Sequence, residues 1–507
     1  MTSKDRFEQI AATTTVRDNL KKRSVLGAGY LAIGTIGDFV VRLGSVAVLA
    51  RLLVPEQFGI LGMVTAVTGI AAIISQLGLS TATIQRSDIT YEQVSNLFWI
   101  NVGFGFVLSL AIGAAAPIVA HFYGDTRLVP VTIAVATTFF WSGLAVQHEA
   151  LLIRQMKQAQ SAFSRLTATV LSAILAIALA AGGFGYWALV WQEVARSILI
   201  TVGIWTCCPW CPGRPYRNAN TRSLVRFGAD LTAAQLFYGI VSNIDRLVLG
   251  RFFGPAMVGM YRQAQQLIMV PIEQLNGPIL GVSQPVLSML QNDPARYRRY
   301  YSKILFLIAS GTMPLAAFGA VYAEELTQLL LGTNWSGSAP LFRIFALAAL
   351  IRPVLGTAGI VVLTCGRSRR LLALTFVSQL VLVIFIIIGI GWEARGVAAA
   401  YLLTAATLLL PNLYFSFKET PVSMSLFFRT IAIPVAASAL MVAALFGVRS
   451  ILPSAGLIES LVLGGVTGGI VYLVACFTLP GGRSEWSGLI GDFMTSIADK
   501  GKVAPHP

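Results

Sequence analysis

Apolar stretches of about 20 residues, the length that crosses a bilayer core as a helix, recur along nearly the whole of this 507-residue chain. Fourteen can be placed, near residues 27–50, 58–84, 94–120, 128–153, 162–181, 184–206, 224–250, 259–287, 302–322, 341–365, 371–391, 396–417, 430–448 and 457–477. So many spans leave little sequence for a water-soluble core, and the expected class is an all-α integral membrane protein with about fourteen transmembrane helices. Composition agrees, since charged residues make up 12% and hydrophobic ones 56%, where a soluble chain carries about 25% charge.

The segment Arg51-Leu52-Leu53-Val54-Pro55-Glu56-Gln57-Phe58-Gly59 returns as Arg251-Phe252-Phe253-Gly254-Pro255-Ala256-Met257-Val258-Gly259, each time where an apolar span gives way to a turn. Six spans separate the copies, and an even number of crossings restores the orientation. The halves are therefore expected to be parallel repeats related by an axis along the membrane normal. A weaker echo pairs Phe122-Tyr123-Gly124 with Leu330-Leu331-Gly332. The expected organisation is a cytoplasmic tail at 1–23, an N-lobe at 24–206, a linker rich in Pro, Arg and Asn at 207–222 and a C-lobe at 223–418. Two extra spans at 419–478 and a cytoplasmic tail at 479–507 complete it. Residues 1–23 mix both charges without an apolar run and read as a tail, not a cleaved signal.

Orientation follows from Lys and Arg. Twenty-six fall on the side that would hold both termini and five, Arg51, Arg127, Arg251, Arg395 and Arg449, on the other. The positive-inside rule then places both termini in the cytoplasm. The same distribution accounts for the formal charge of +15 through topology and contact with anionic lipid headgroups, without nucleic acid.

Several function classes lose support. No phosphate-cradling Gly-x-x-x-x-Gly-Lys loop is present, so ATP-driven transport by this chain alone is not expected, and no cofactor is implied. External turns are short, the longest being residues 323–340. The three His are scattered, and no two carboxylates share an obvious site, so no catalytic residues are nominated and the chain does not read as an enzyme. Cys207, Cys208 and Cys211 lie on the reducing side without a fourth ligand, so no metal site is expected.

The chemistry lies in charges within spans, each costing about 3 kcal/mol or more unless it meets water or a partner. Asp38 and Arg42 are four apart on one helix face, and Arg42 is roughly 13 Å below Arg51, so the pair either lines a cavity or forms a packing salt bridge. Asp245 and Arg246 either line a cavity mouth or, for Arg246, snorkel outward. The eighth span is filled with polar residues, among them Arg262, Gln266 and Glu273, and cannot face lipid. Its Pro271, Pro278 and Pro285 recur every seven residues, placing kinks on nearly one face that suit a gate, or polar packing between helices. Pro55 and Pro255 in the duplicated turns are further gate or hinge candidates. Arg196, Arg343 and Arg352 complete six Arg within spans, against Asp38, Glu193, Asp245 and Glu273. The cavity set is thus Arg42, Asp245, Arg246, Arg262, Gln266, Arg343 and Arg352, a net-positive chamber suited to a diphosphate or acidic sugar. Asp38, Glu273, Glu193 and the His148-Glu149 pair are candidates to carry a coupling ion.

Taken together, the Arg51 to Gly59 turn, Leu77-Gly78-Leu79-Ser80-Thr81-Ala82-Thr83-Ile84-Gln85-Arg86, Phe98-Trp99-Ile100-Asn101, Phe122-Tyr123-Gly124-Asp125 and Asp245-Arg246-Leu247-Val248-Leu249-Gly250-Arg251 carry a resemblance. Over residues 24–417 the chain resembles the polysaccharide-transporter, Wzx-type flippase branch of the MOP exporter superfamily, whose relatives include lipid II flippases and multidrug exporters. The resemblance implies two lobes in a V that alternate between inward and outward openings. It also implies an undecaprenyl-diphosphate-linked oligosaccharide repeat unit as cargo, with a cytoplasmic glycosyltransferase and a periplasmic polymerase as partners. Alternatives are a multidrug cation exporter, which calls for an acid-rich chamber, a lipid II flippase, a membrane-bound glycan polymerase, and a structural scaffold.

Overall fold

The computed structural model describes residues 20–75, 80, 83–84, 89–216, 222–451, 456–483 and 486, with 20–32, 222–238 and 240 given by backbone alone. Most of the two expected tails, Arg86 and linker residues 217–221 fall outside this set. Every regular element among the described residues is helical. In chain order they are α1 (Leu20–Leu52), α2 (Pro55–Ser75), α3 (Tyr91–Ala114), α4 (Ala116–Tyr123), α5 (Leu128–Arg154), α6 (Gln158–Ala181), α7 (Tyr186–Cys207) and α8 (Arg222–Met289). There follow α9 (Pro294–Val321), α10 (Ala323–Leu331), α11 (Ser338–Thr364), α12 (Ser368–Gly389), α13 (Glu393–Phe417), α14 (Met424–Ile451) and α15 (Leu457–Thr478).

Among the described residues eleven helical stretches are long and apolar enough to cross a membrane, one of them, 368–417, holding both α12 and α13. The two halves of α8, more polar but each of spanning length, complete the fourteen crossings of a multi-pass membrane protein. The sequence ends its seventh span near 250 and begins the eighth near 259, and α8 leaves helical angles between the two, at Gly254, where φ is 79°. The break has a simple cause. A positive φ costs glycine almost nothing, and Pro255 is then preset for the first turn of a new helix.

The weaker echo in the sequence proves structural. Short helices α4 and α10 each end on a left-handed glycine, Gly124 at φ 73° and Gly332 at φ 94°. Small residues set the tightest helix contacts, as in other membrane bundles. A Cβ on Gly143 would lie 2.7 Å from the Asn101 carbonyl oxygen of α3, and one on Gly105 would lie 2.6 Å from that of Phe139 on α5.

Contacts divide the chain into two compact units, 1–262 with 330–334, and 263–329 with 335–507. The division falls inside the polar eighth span and not at the linker, so the seventh span packs with the first unit. The described part of the linker is tied to that unit as well. Tyr91 donates to the Cys211 carbonyl at 3.0 Å, Trp99 to that of Gly213 at 2.8 Å, and Asn96 exchanges two bonds with the Tyr216 backbone.

Within the first unit the two duplicated turns meet each other. A Cβ on Gly59 would stand 1.6 Å from the Pro255 carbonyl oxygen, and one on Gly259 would stand 2.0 Å from that of Pro55. Such reciprocity is the mark of a local two-fold axis. Glycine is required at both positions because backbone there packs on backbone.

Candidate functional site

Six ionisable residues of the first unit line two chambers. The first, of about 320 Å³, is walled by α1, α5 and α6 and holds Asp38, Arg42, Glu149, Ser161 and Arg165. The second, of about 460 Å³, shares Glu149 and Arg165 and adds Glu193 and Arg196 of α7 with Ser75, Thr138, Ser142, Ser197 and Thr201.

Close packing positions the first chamber's acid. A Cβ on Gly34 would lie 2.9 Å from that of Ala162, so α1 and α6 run nearly in backbone contact. Asp38 is thereby brought against Thr169, whose hydroxyl donates to it at 2.5 Å, while Arg42 pairs with its second oxygen at 2.7 Å. Arg42 is 49% exposed, and the ion-paired Asp38 and Arg42 both border the chamber. Across the chamber Arg165 pairs with Glu149 at 2.5 Å and Ser161 donates to the same oxygen at 3.3 Å.

Arg196 makes no ion pair among the described residues, and its Nε lacks a partner. Arg262 is alike in both respects, with Arg246 and Glu193 as the charged groups acting on it. Sequence alone missed Arg165, which sits near a span end and counts there as a topology residue, and Thr169, a hydroxyl in an apolar helix. The missed signal was depth. Glu149 and Arg165 lie on consecutive spans at similar distances from the turn that joins them.

Other candidates fall elsewhere. His148, next to Glu149, points away from the chambers, stacked on Trp205 at 4.2 Å and bonded to the Trp210 carbonyl at 3.1 Å. It is a packing residue in an aromatic cluster with Phe98, so the His148-Glu149 pair divides between core and cavity. Asp245 is fully buried, not at a cavity mouth, and accepts from the Tyr261 hydroxyl at 2.9 Å and the Arg246 backbone N–H at 2.8 Å. The Arg246 side chain reaches Asn243 at 3.4 Å.

In the second unit Arg352 lies over the Tyr401 ring at 5.1 Å, and Glu273, Pro278 and Pro285 are exposed. Pro271 and Gln266 are half-buried. Arg343 proves to be near the start of α11, paired with exposed Glu324 at 3.1 Å and bonded to the Ala320 carbonyl, which removes it from the deep set. Among the described residues no cluster of three or more His, Cys, Asp or Glu could hold a metal.

The first unit's chambers thus carry three arginines and three acids. Such a lining can hold a polar, hydrated group inside the membrane, with arginine forks available to oxyanions.

Comparison with known proteins agrees with this fold. The E. coli K12 lipopolysaccharide biosynthesis protein WzxC is 26% identical over 343 residues, covering 66% of this chain and 69% of the relative. The succinoglycan biosynthesis transport protein ExoT of Rhizobium meliloti is 25% identical over 350 residues, covering 66% and 67%. Among solved structures, the lipid II flippase MurJ in an inward closed conformation matches 91% of this chain and 99% of its own at a TM-score of 0.71 and 12% identity, a likeness of fold. The family described as polysaccharide biosynthesis protein matches residues 48–340, and the chain belongs to that family.

Proposed function

We propose that this protein is a flippase that carries undecaprenyl-diphosphate-linked oligosaccharide repeat units across the bacterial inner membrane for exopolysaccharide, capsule or lipopolysaccharide assembly. The observation that carries the reading is the family match over 48–340, which includes every ionisable side chain of the two chambers except Asp38 and Arg42. The relatives named for lipopolysaccharide biosynthesis and succinoglycan transport support the same cargo class. The work is translocation, with no bond made or broken. A glycosyltransferase on the cytoplasmic face would supply the cargo and a periplasmic polymerase would consume it.

Alternating access needs two states of the path, and the repeats at 24–206 and 223–418 are the proposed moving lobes; the packing of the seventh span with the first unit is then that of one state, and Pro55, Gly59, Pro255 and Gly259 form the gate that closes in it. Arg42, Arg196 and Arg262 are the proposed cavity cations of the first unit, and Arg352 that of the second. Asp38, Glu149, Glu193 and Glu273 are the acids that could exchange a coupling ion between the two states.

Deleting the gene and following labelled lipid-linked oligosaccharide tests the reading. Accumulation in the cytoplasmic leaflet with loss of one surface glycan is expected. An unchanged pool and glycan with new drug sensitivity would replace it with the multidrug exporter. Repeating the assay across pH with Asp38→Asn and Glu273→Gln decides coupling, since the coupling acid is the one whose amide removes the pH dependence.

A further inference from the structure

Glu149, Ile153 and Arg165 border both chambers of the first unit, so these residues form the wall between them. The polar part of that wall is one salt bridge, and it is a poor one. Arg165 commits a single nitrogen, Nη2, to a single oxygen of Glu149 at 2.5 Å, and that oxygen also receives the Ser161 hydroxyl. The Arg165 and Glu149 side chains are 41% and 27% exposed, and a partly exposed pair held through one nitrogen and one oxygen contributes little.

A phosphate or carboxylate could offer Arg165 two parallel bonds where Glu149 offers one. Arg196 stands in the second chamber without an ion pair among the described residues and can receive a further oxygen. Size points the same way. At about 320 and 460 Å³ each chamber lies near the lower end of the ~300–1,000 Å³ range of ligand pockets, and joined they reach its upper half.

We propose that the Glu149–Arg165 bridge is a latch, opened when an anionic oxygen group displaces Glu149 from Arg165 and joins the two chambers into one binding site. Arg165 is then a specificity residue for the acidic part of the cargo. The inference deepens the flippase reading, on which only the identity of the natural anion rests.

The test is calorimetric binding of inorganic pyrophosphate and, separately, of glucuronate to the full-length protein in lipid nanodiscs. Glu149→Gln removes the competing carboxylate and is expected to tighten binding about fivefold, the scale of one exposed ion pair. Arg165→Gln is expected to abolish it. A merely structural bridge gives both substitutions the same sign, so weakening by both, or no change from either, overturns the latch. Response to pyrophosphate alone assigns the diphosphate as the group bound, and response to glucuronate alone assigns an acidic sugar. If Arg165→Gln does not fold, Arg165→Lys takes its place, keeping the charge but losing the fork, and is expected to weaken binding while Glu149→Gln strengthens it. Failure of the flippase reading shows separately, as an unchanged lipid-linked pool in the deletion strain.

Discussion

At the scale of single residues, charges here divide by what they meet. Asp38 and Arg42 could be paired from the sequence because four positions make one helix face. Arg165 could not, because its partner Glu149 lies on another helix and only packing brings them together. Asp245 reads as functional from its cost in a membrane, yet Tyr261 accounts for it, a contact within one packed unit that spacing does not reveal. Outside the spans, Arg127 joins the turn after α4 to the first turn of α2, binding Asp125 at 2.8 Å and Glu56 at 2.8 Å. Arg127 holds the Asp125 carboxyl below its usual range, chiefly by side-chain hydrogen bonds. A carboxylate whose folded pKa lies below its unfolded one stabilises fully above the unfolded value, about 3.9, and loses that contribution as pH falls through the folded value. Asp125→Asn is therefore expected to lower the melting temperature at pH 7 and to match the parent at the acid end. A difference that stays constant down to pH 3 would contradict the assignment.

At the scale of helices, hydropathy located the spans because apolar length is what a bilayer selects. It did not reveal α4 and α10, each shorter than ten residues and continuous in sequence with an apolar span or its turn. The break in α8 falls in the duplicated turn where the sequence places it, but that Gly254 is the residue that makes it shows only in the backbone angles. The duplicated turn itself was legible, but not that its two copies touch. Because Gly59 and Gly259 face carbonyls of the opposite copy, adding a methyl to either should cost about 1–3 kcal/mol through forced separation. Both substitutions strain one crossing, so Gly59→Ala with Gly259→Ala is expected to cost clearly less than the two singles combined, once the helices have moved apart. Thermal or denaturant melting of the four proteins in detergent measures this. Strict additivity would mean that the glycines do not share a contact that can open, and would remove them from the proposed gate.

At the scale of the molecule, the count of spans and the repeat were readable because each depends on composition or on sequence identity with itself. The division into compact units was not, since it depends on how the seventh span packs, and that span is tied to the first unit by contacts such as Tyr123 against Gly250 and Asn243 against Gly69. Orientation in the membrane rests on charge alone, twenty-six Lys and Arg against five, because the count of Lys and Arg near span ends is what sets topology. Exposed Cys211, in the linker, should therefore face the cytoplasm, and Thr126, between α4 and α5, the opposite side. With the other cysteines replaced, a membrane-impermeant maleimide applied to spheroplasts is expected to label Thr126→Cys in intact cells and to reach Cys211 only after the membrane is broken. The reverse pattern would invert the molecule and with it the direction in which any cargo is carried.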